Sequence, residues 1–224
     1  YELAVIIRDG LHRMYEKQEN IFYYVTMMNE FYPQPPMPQG VREGILKGIY
    51  RLKPSTLGKP AEVNLLGSGV ILNQAVEAQQ LLESKYQIPA DVYSVTSYKT
   101  LYEDCTETER HNLLHPADEK RISYLQQTFA GSNAVFVAAT DYIKTLPLMI
   151  AKWLPGKLIA LGTDGFGRSD TRSALRDYFE VDSRYITLAA LSALAAEGKI
   201  DSGLPAKAVE DLEIDADKQN PALV

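Results

Sequence analysis

From residue 62 onward the chain repeats one unit: a short apolar run of strand length, then a segment with helical spacing. The runs are VNLLG (63–67), DVYSVTS (91–97), AVFVAAT (134–140) and KLIALG (157–162). Between them, residues 70–86, 98–114 and 143–153 read as helical, the last in spite of Pro147, and further helices are expected over 171–179 and 183–197. Strands that alternate with helices are joined by right-handed crossovers, which lay the strands parallel and cover both faces of the sheet. The expected fold is therefore α/β, a three-layer arrangement with a mostly parallel sheet and helices on both faces.

The first forty residues follow another pattern. Leu3, Ile7, Leu11 and Met14 recur at helical spacing. Next comes IFYYVTMM (21–28), an uncharged run rich in aromatic residues, which predicts a strand buried on both faces. NEFYPQPPMPQG (29–40) holds four prolines, each lacking a backbone N–H and fixing φ, so neither a helix nor a central strand continues there. The predicted plan is the tail end of one domain over 1–30, a Pro-rich linker over 31–40 and a second domain over 41–224. That second domain opens with a short helix at 41–48 and a strand at 50–53 and ends in a polar tail, IDADKQNPALV. A helix and strand without a preceding strand, and a first residue other than Met, predict a piece of a longer chain.

The net charge of −6 argues against a nucleic-acid partner, since phosphate contacts require clustered Lys and Arg. No apolar run reaches the ~20 residues that cross a bilayer, so no membrane association is expected. The one cysteine, Cys105, has no intramolecular disulfide partner, which predicts a cytoplasmic location. Cys105 lies among Glu and Asp residues, whose charge is expected to raise its thiol pKa and disfavour the nucleophilic thiolate.

Three stretches carry candidate chemistry. In LLGSGVILNQAVEAQQLL (65–82), Gly67, Ser68 and Gly69 join a strand to a helix whose free N–H groups suit an anion. The third glycine of a dinucleotide fingerprint is replaced by Leu72, and no Gly-Lys-Ser/Thr ending is present. A ligand-free strand-to-helix turn is the reading these residues favour, with weak anion binding beside it. His111 and His115 stand four apart in ERHNLLHP, but Pro116 follows and no Glu is placed as a general base, so no metal site is expected. In LGTDGFGRSDTR (161–172), Gly162, Gly165 and Gly167 give a flexible corner after a strand, while Asp164 and Arg168 supply charge. Ser169 or Asp170 reads as the N-cap of the next helix. Residues alone leave this corner evenly divided between a ligand site and a contact with another chain.

Those stretches together, with DVYSVTSYKTL at 91–101, DADKQNP at 215–221 and YELAVIIRDGLHRMYEKQENIFYYVTMMNE at 1–30, resemble the homodimeric, single-chain type of pyruvate dehydrogenase. This is the thiamine-diphosphate-dependent component that decarboxylates pyruvate and passes the acetyl group to a lipoyl arm of dihydrolipoamide acetyltransferase. The resemblance implies that residues 1–30 end a pyrimidine-binding middle domain and that residues 41–224 form a transketolase-type C-terminal domain. It implies thiamine diphosphate and magnesium in the parent enzyme, bound through a Gly-Asp-Gly motif with Asn partners, together with an activating Glu and substrate-contacting histidines. None of these falls on a position here; the nearest string is Thr163-Asp164-Gly165. Neither cofactor nor catalytic residue is therefore expected in this chain, which would be inactive alone and architectural in the parent. The expected subunit interface comprises Asp164, Gly165, Phe166, Gly167 and Arg168. The alternatives are a regulatory anion- or nucleotide-binding module at Gly67-Ser68-Gly69, or the C-terminal domain of another transketolase-fold enzyme.

Overall fold

The computed structural model describes residues 1–223. Five strands, β1 (Ile49–Lys53), β2 (Val63–Gly67), β3 (Ala90–Val95), β4 (Val135–Ala139) and β5 (Leu158–Leu161), form one sheet in the order β1-β3-β2-β4-β5. The helices are α1 (Glu2–Leu11), α2 (Arg42–Lys47), α3 (Leu72–Tyr86), α4 (Tyr98–Leu114), α5 (Tyr124–Thr128), α6 (Thr145–Leu148), α7 (Arg172–Tyr178), α8 (Ser183–Ala196) and α9 (Leu204–Asp211). β2, β3, β4 and β5 are parallel, whereas β1 pairs antiparallel with β3. The expected mostly parallel sheet is present with one antiparallel edge. β1 enters straight from α2 through Gly48, whose φ of 102° ends that helix, and no crossover intervenes.

Two cores follow from the two-residue period of the strands. Val63, Leu65, Val92, Val135 and Val137 pack under α3, α8 and α9. Leu66, Tyr93, Val95, Phe136 and Ala138 face the other way, onto α4, α5 and a 3₁₀ turn at Ala151–Trp153. Every residue of β2, β3 and β4 is buried, which is why these strands read as unbroken apolar runs.

Several sequence expectations are corrected. Residues 21–28 join no sheet; Phe22 and Tyr24 are 87% and 88% exposed, and Tyr23 lies against α1, with its ring on Gly10 and its hydroxyl on Asp9. The helix expected over 143–153 is split into α6 and the 3₁₀ turn: Pro147 is held in the first turn of α6, and the break follows it, where the N–H groups of Ile150 and Trp153 bond the carbonyls three residues back, of Pro147 and Ile150. The N-cap of α7 is Thr171, whose hydroxyl accepts from the Ala174 N–H, while Asp170 Oδ1 accepts from the Thr171 N–H. Two helices arise where none was expected. α5 starts on a reciprocal Ser123–Gln126 capping box, and α9 carries a proline in its first turn and buries Ala208. The polar tail returns to the body: Lys218 Nζ donates to the Tyr178 carbonyl and the Tyr185 hydroxyl, both at 3.1 Å, and Pro221 is buried.

Candidate functional site

β2 and β4 are neighbours, yet the chain leaves them toward opposite faces: β2 leads into α3 on one side, β4 into α6 and the 3₁₀ turn on the other. Such a divergence is where open α/β sheets place ligands, at the carboxyl ends of the strands. Gly67, Ser68 and Gly69 leave β2 at this point. A Cβ on Gly67 would stand 2.6 Å from Leu72 Cα, so the close approach of helix to strand requires glycine. Gly69 has φ of +56° and open space around it, so it supplies the left-handed turn.

The hydroxyl between them is already committed. Ser68 Oγ donates to Thr140 Oγ1 at 2.8 Å, and Thr140 Oγ1 in turn accepts from the Tyr142 N–H at 3.2 Å. Thr140 is fully buried at the end of β4. Sequence reasoning did not single out Thr140, because nothing local marks a residue that meets its partner 72 positions away. The next residue, Asp141, was also missed. Burial pushes its carboxyl above the ordinary aspartate value, with Arg176 opposing and Glu30 reinforcing the shift. Its Oδ2 is buried without a hydrogen-bond partner among the described residues.

The glycine-rich corner is braced by contacts of its own charged residues. Asp164 Oδ1 accepts from the Lys144 N–H at 3.0 Å, and Asp164 Oδ2 lies 3.7 Å from Lys144 Nζ. Gly165, at φ +82°, passes against Pro221 and Ala222. Phe166 is 88% exposed, and the Arg168 guanidinium lies 4.9 Å over the Tyr178 ring. Gly167 faces open space. Of the five residues expected to act together, Asp164 and Arg168 thus brace the loop from within and Phe166 projects from it.

The remaining candidates have local structural roles. The His111 and His115 rings stack at 4.2 Å, with His115 Nδ1 3.0 Å from the His111 carbonyl oxygen. Cys105 Sγ donates to Ser123 Oγ at 3.3 Å. Its thiol pKa is raised, as expected, but burial leads, opposed by the Ser123 hydrogen bond, with the Asp104 and Glu109 charges adding less.

Comparison with known proteins bears on both parts of the chain. Residues 48–182 match the transketolase-like TK C-terminal domain, and residues 1–35 match the pyruvate dehydrogenase E1 component middle domain. The chain is 48% identical over 225 residues to the pyruvate dehydrogenase E1 component of Escherichia coli, an alignment that covers 100% of this chain and 25% of that protein. The corresponding protein of Pseudomonas aeruginosa is 47% identical over 222 residues, covering 99% and 25%, and that of Cupriavidus necator 42% over 225 residues, covering 100% and 25%. The chain thus spans about a quarter of the length of these relatives. A solved transketolase from Leishmania mexicana aligns with 71% of this chain and 19% of its own at 17% identity, with a TM-score of 0.47. With a family match over residues 48–182 laid on a five-stranded sheet between helical layers, the chain belongs to the transketolase-like TK C-terminal domain family.

Proposed function

We propose that this chain works as the C-terminal part of a pyruvate dehydrogenase E1 component, the thiamine-diphosphate-dependent enzyme that decarboxylates pyruvate and acetylates the lipoyl group of dihydrolipoamide acetyltransferase. One observation carries the reading: two domain matches in fixed order, within an end-to-end alignment at 47–48% identity to proteins of that name. The relatives do not favour a different transketolase-fold enzyme or a regulatory module at Gly67-Ser68-Gly69, and the Ser68 hydroxyl is already bonded to Thr140. A cytoplasmic setting belongs to this proposal, supported by a single cysteine that is buried and unpaired.

The Gly-rich corner does not fit a diphosphate–magnesium site. The nearest string to Gly-Asp-Gly is Thr163-Asp164-Gly165, and its carboxylate is bonded to the Lys144 N–H and faces the Lys144 ammonium. A magnesium ligand needs a free carboxylate oxygen in near-octahedral geometry. Thiamine diphosphate and magnesium therefore belong, in this proposal, to other parts of the parent enzyme.

The chain's own role is then architectural, at the homodimer interface. Phe166 stands on a loop that the Asp164–Lys144 and Arg168–Tyr178 contacts hold in place, and a fixed, exposed aromatic is a typical interface anchor. In the full-length enzyme, Phe166→Ser and Arg168→Ala should each weaken the dimer by about tenfold or more on dilution while leaving turnover of the intact dimer unchanged. An unchanged dissociation constant in both variants refutes the interface role. Pyruvate decarboxylation by residues 1–224 alone, with thiamine diphosphate and magnesium supplied, refutes the division of labour.

A further inference from the structure

The first thirty residues form a unit braced on itself. The Tyr23 ring lies on Gly10, where a Cβ would stand 3.1 Å from Tyr23 Cε2. The Tyr23 hydroxyl donates to Asp9 Oδ2 at 3.3 Å and accepts from Arg13 Nη1 at 3.2 Å, and Arg13 pairs with Glu19 at 2.6 Å. These contacts turn the chain after α1 back along the helix.

A carboxylate stands at each end of that unit, and groups of the C-terminal domain receive both. Glu2 Oε1 accepts from Ser94 Oγ at 2.6 Å and from the Tyr50 hydroxyl at 2.7 Å. Ser94 lies near the end of β3, in register with Gly67 of β2. Glu30 Oε2 accepts from Arg176 Nη2 at 2.5 Å and lies 3.4 Å from Arg172 Nε, while Arg172 also donates to the Asn29 carbonyl. The Glu30 and Arg176 side chains are only 17% and 15% exposed, so salt screens this pair weakly and loss of either partner strands a charge.

The two seats lie on opposite sides of the β2–β4 divergence, since Ser94 belongs to β3, beside β2, and the Glu30–Arg176 pair acts on Asp141, which follows β4. The Pro-rich stretch 31–40 has no helix or strand, and its Phe31 is fully exposed. Contacts on either side of the linker must therefore fix the orientation. We infer that Glu2 and Glu30 are the two anchoring residues that seat the first thirty residues across the carboxyl edge of the sheet, received by Ser94 and Arg176. They thereby set the angle between the segment that matches the middle domain and the C-terminal domain. This inference concerns contacts within the chain and does not rest on the activity proposed for the parent.

Limited chymotrypsin digestion of the 224-residue chain, followed at the bond after Phe31, tests it. Glu30→Gln and Arg176→Met should each speed cleavage about tenfold, Glu2→Gln about threefold, and Glu2→Gln with Glu30→Gln more than either alone. The charge swap Glu30→Arg with Arg176→Glu should return the rate to within about threefold of the unmodified chain. Emission of Trp153, which packs in the layer opposite α7, reports that the body remains folded. Should Arg176→Met disturb that emission, the two glutamate variants supply the same reading without touching the core. Cleavage rates within about twofold of the unmodified chain in Glu30→Gln and in the double glutamate variant overturn the inference.

Discussion

Trp153 Nε1 donates to Glu109 Oε1 at 2.7 Å, so the one tryptophan of the chain reads the charge of a carboxylate on α4. Lys152 Nζ lies 2.7 Å from the other oxygen of the same carboxylate and 4.3 Å over the indole ring. The Lys152 ammonium, with help from the indole N–H and against a smaller desolvation effect, holds the Glu109 carboxyl below its ordinary value of 4.5. A depressed folded value means that this contact is present above 4.5 and is lost as pH falls through the folded value. Tryptophan emission should therefore titrate with a midpoint below 4.5 before the chain unfolds, and Glu109→Gln should abolish the transition. A midpoint at or above the ordinary value would contradict the arrangement.

The glycines that leave β2 should not be equivalent. Alanine at Gly67 places a methyl group 2.6 Å from Leu72 Cα, and the joint between strand and helix must shift, at about 1–3 kcal/mol. Alanine at Gly69 meets nothing but must hold φ at +56°, at about 1–2 kcal/mol. Urea unfolding should show both losses. For Gly67→Ala the loss should come with slower refolding if the β2–α3 joint forms early, a point that φ-value measurement at Leu65 decides.

The sheet was legible in the sequence because β2, β3 and β4 are buried on both faces and so read as short apolar runs between helical segments. Residues 21–28 show the limit of that signal. An apolar run calls for a partner without saying which surface provides it, and Phe22 and Tyr24 find none among the described residues. The turn at Gly67-Ser68-Gly69 was likewise legible as a turn, since its glycines answer to local geometry. Its hydrogen-bond partner Thr140, the Lys144 N–H that holds Asp164, and Arg176 beneath Glu30 were not, because each pairing is set by where the fold brings distant segments. Cys105 belongs to both groups: neighbouring carboxylates predicted the direction of its shift, but burial is the larger cause.

Cys105 should react with thiol reagents only as the chain opens. Its side chain is 1% exposed and its thiol value is raised, so the thiolate is scarce and inaccessible. Ser123, which accepts from that thiol, also caps α5 by accepting from the Gln126 N–H. Ser123→Ala should lower stability by about 1 kcal/mol and speed labelling of Cys105 through more frequent opening. Labelling of the unmodified chain at the rate of a free thiol would show that the α4–α5 packing does not exclude solvent.

Asp141 should respond in the opposite sense to the usual carboxylate. Burial raises its value above the ordinary 3.8, and the repulsion from Glu30 adds to this against the attraction of Arg176. The folded state therefore prefers the protonated form, so this contribution to stability is complete at low pH and is lost as pH rises through the folded value. Above the folded value the ionised group, with one oxygen buried and unpartnered, works against folding. Asp141→Asn removes that charge while keeping the size of the side chain. Thermal unfolding at neutral pH should shift upward in this variant, and the gain should fade as pH is lowered, vanishing below 3.8 where the carboxyl is neutral in both states. A gain that persists at low pH would place its origin in packing. A loss at neutral pH would mean that attraction to Arg176 outweighs burial, reversing the order of causes at the end of β4.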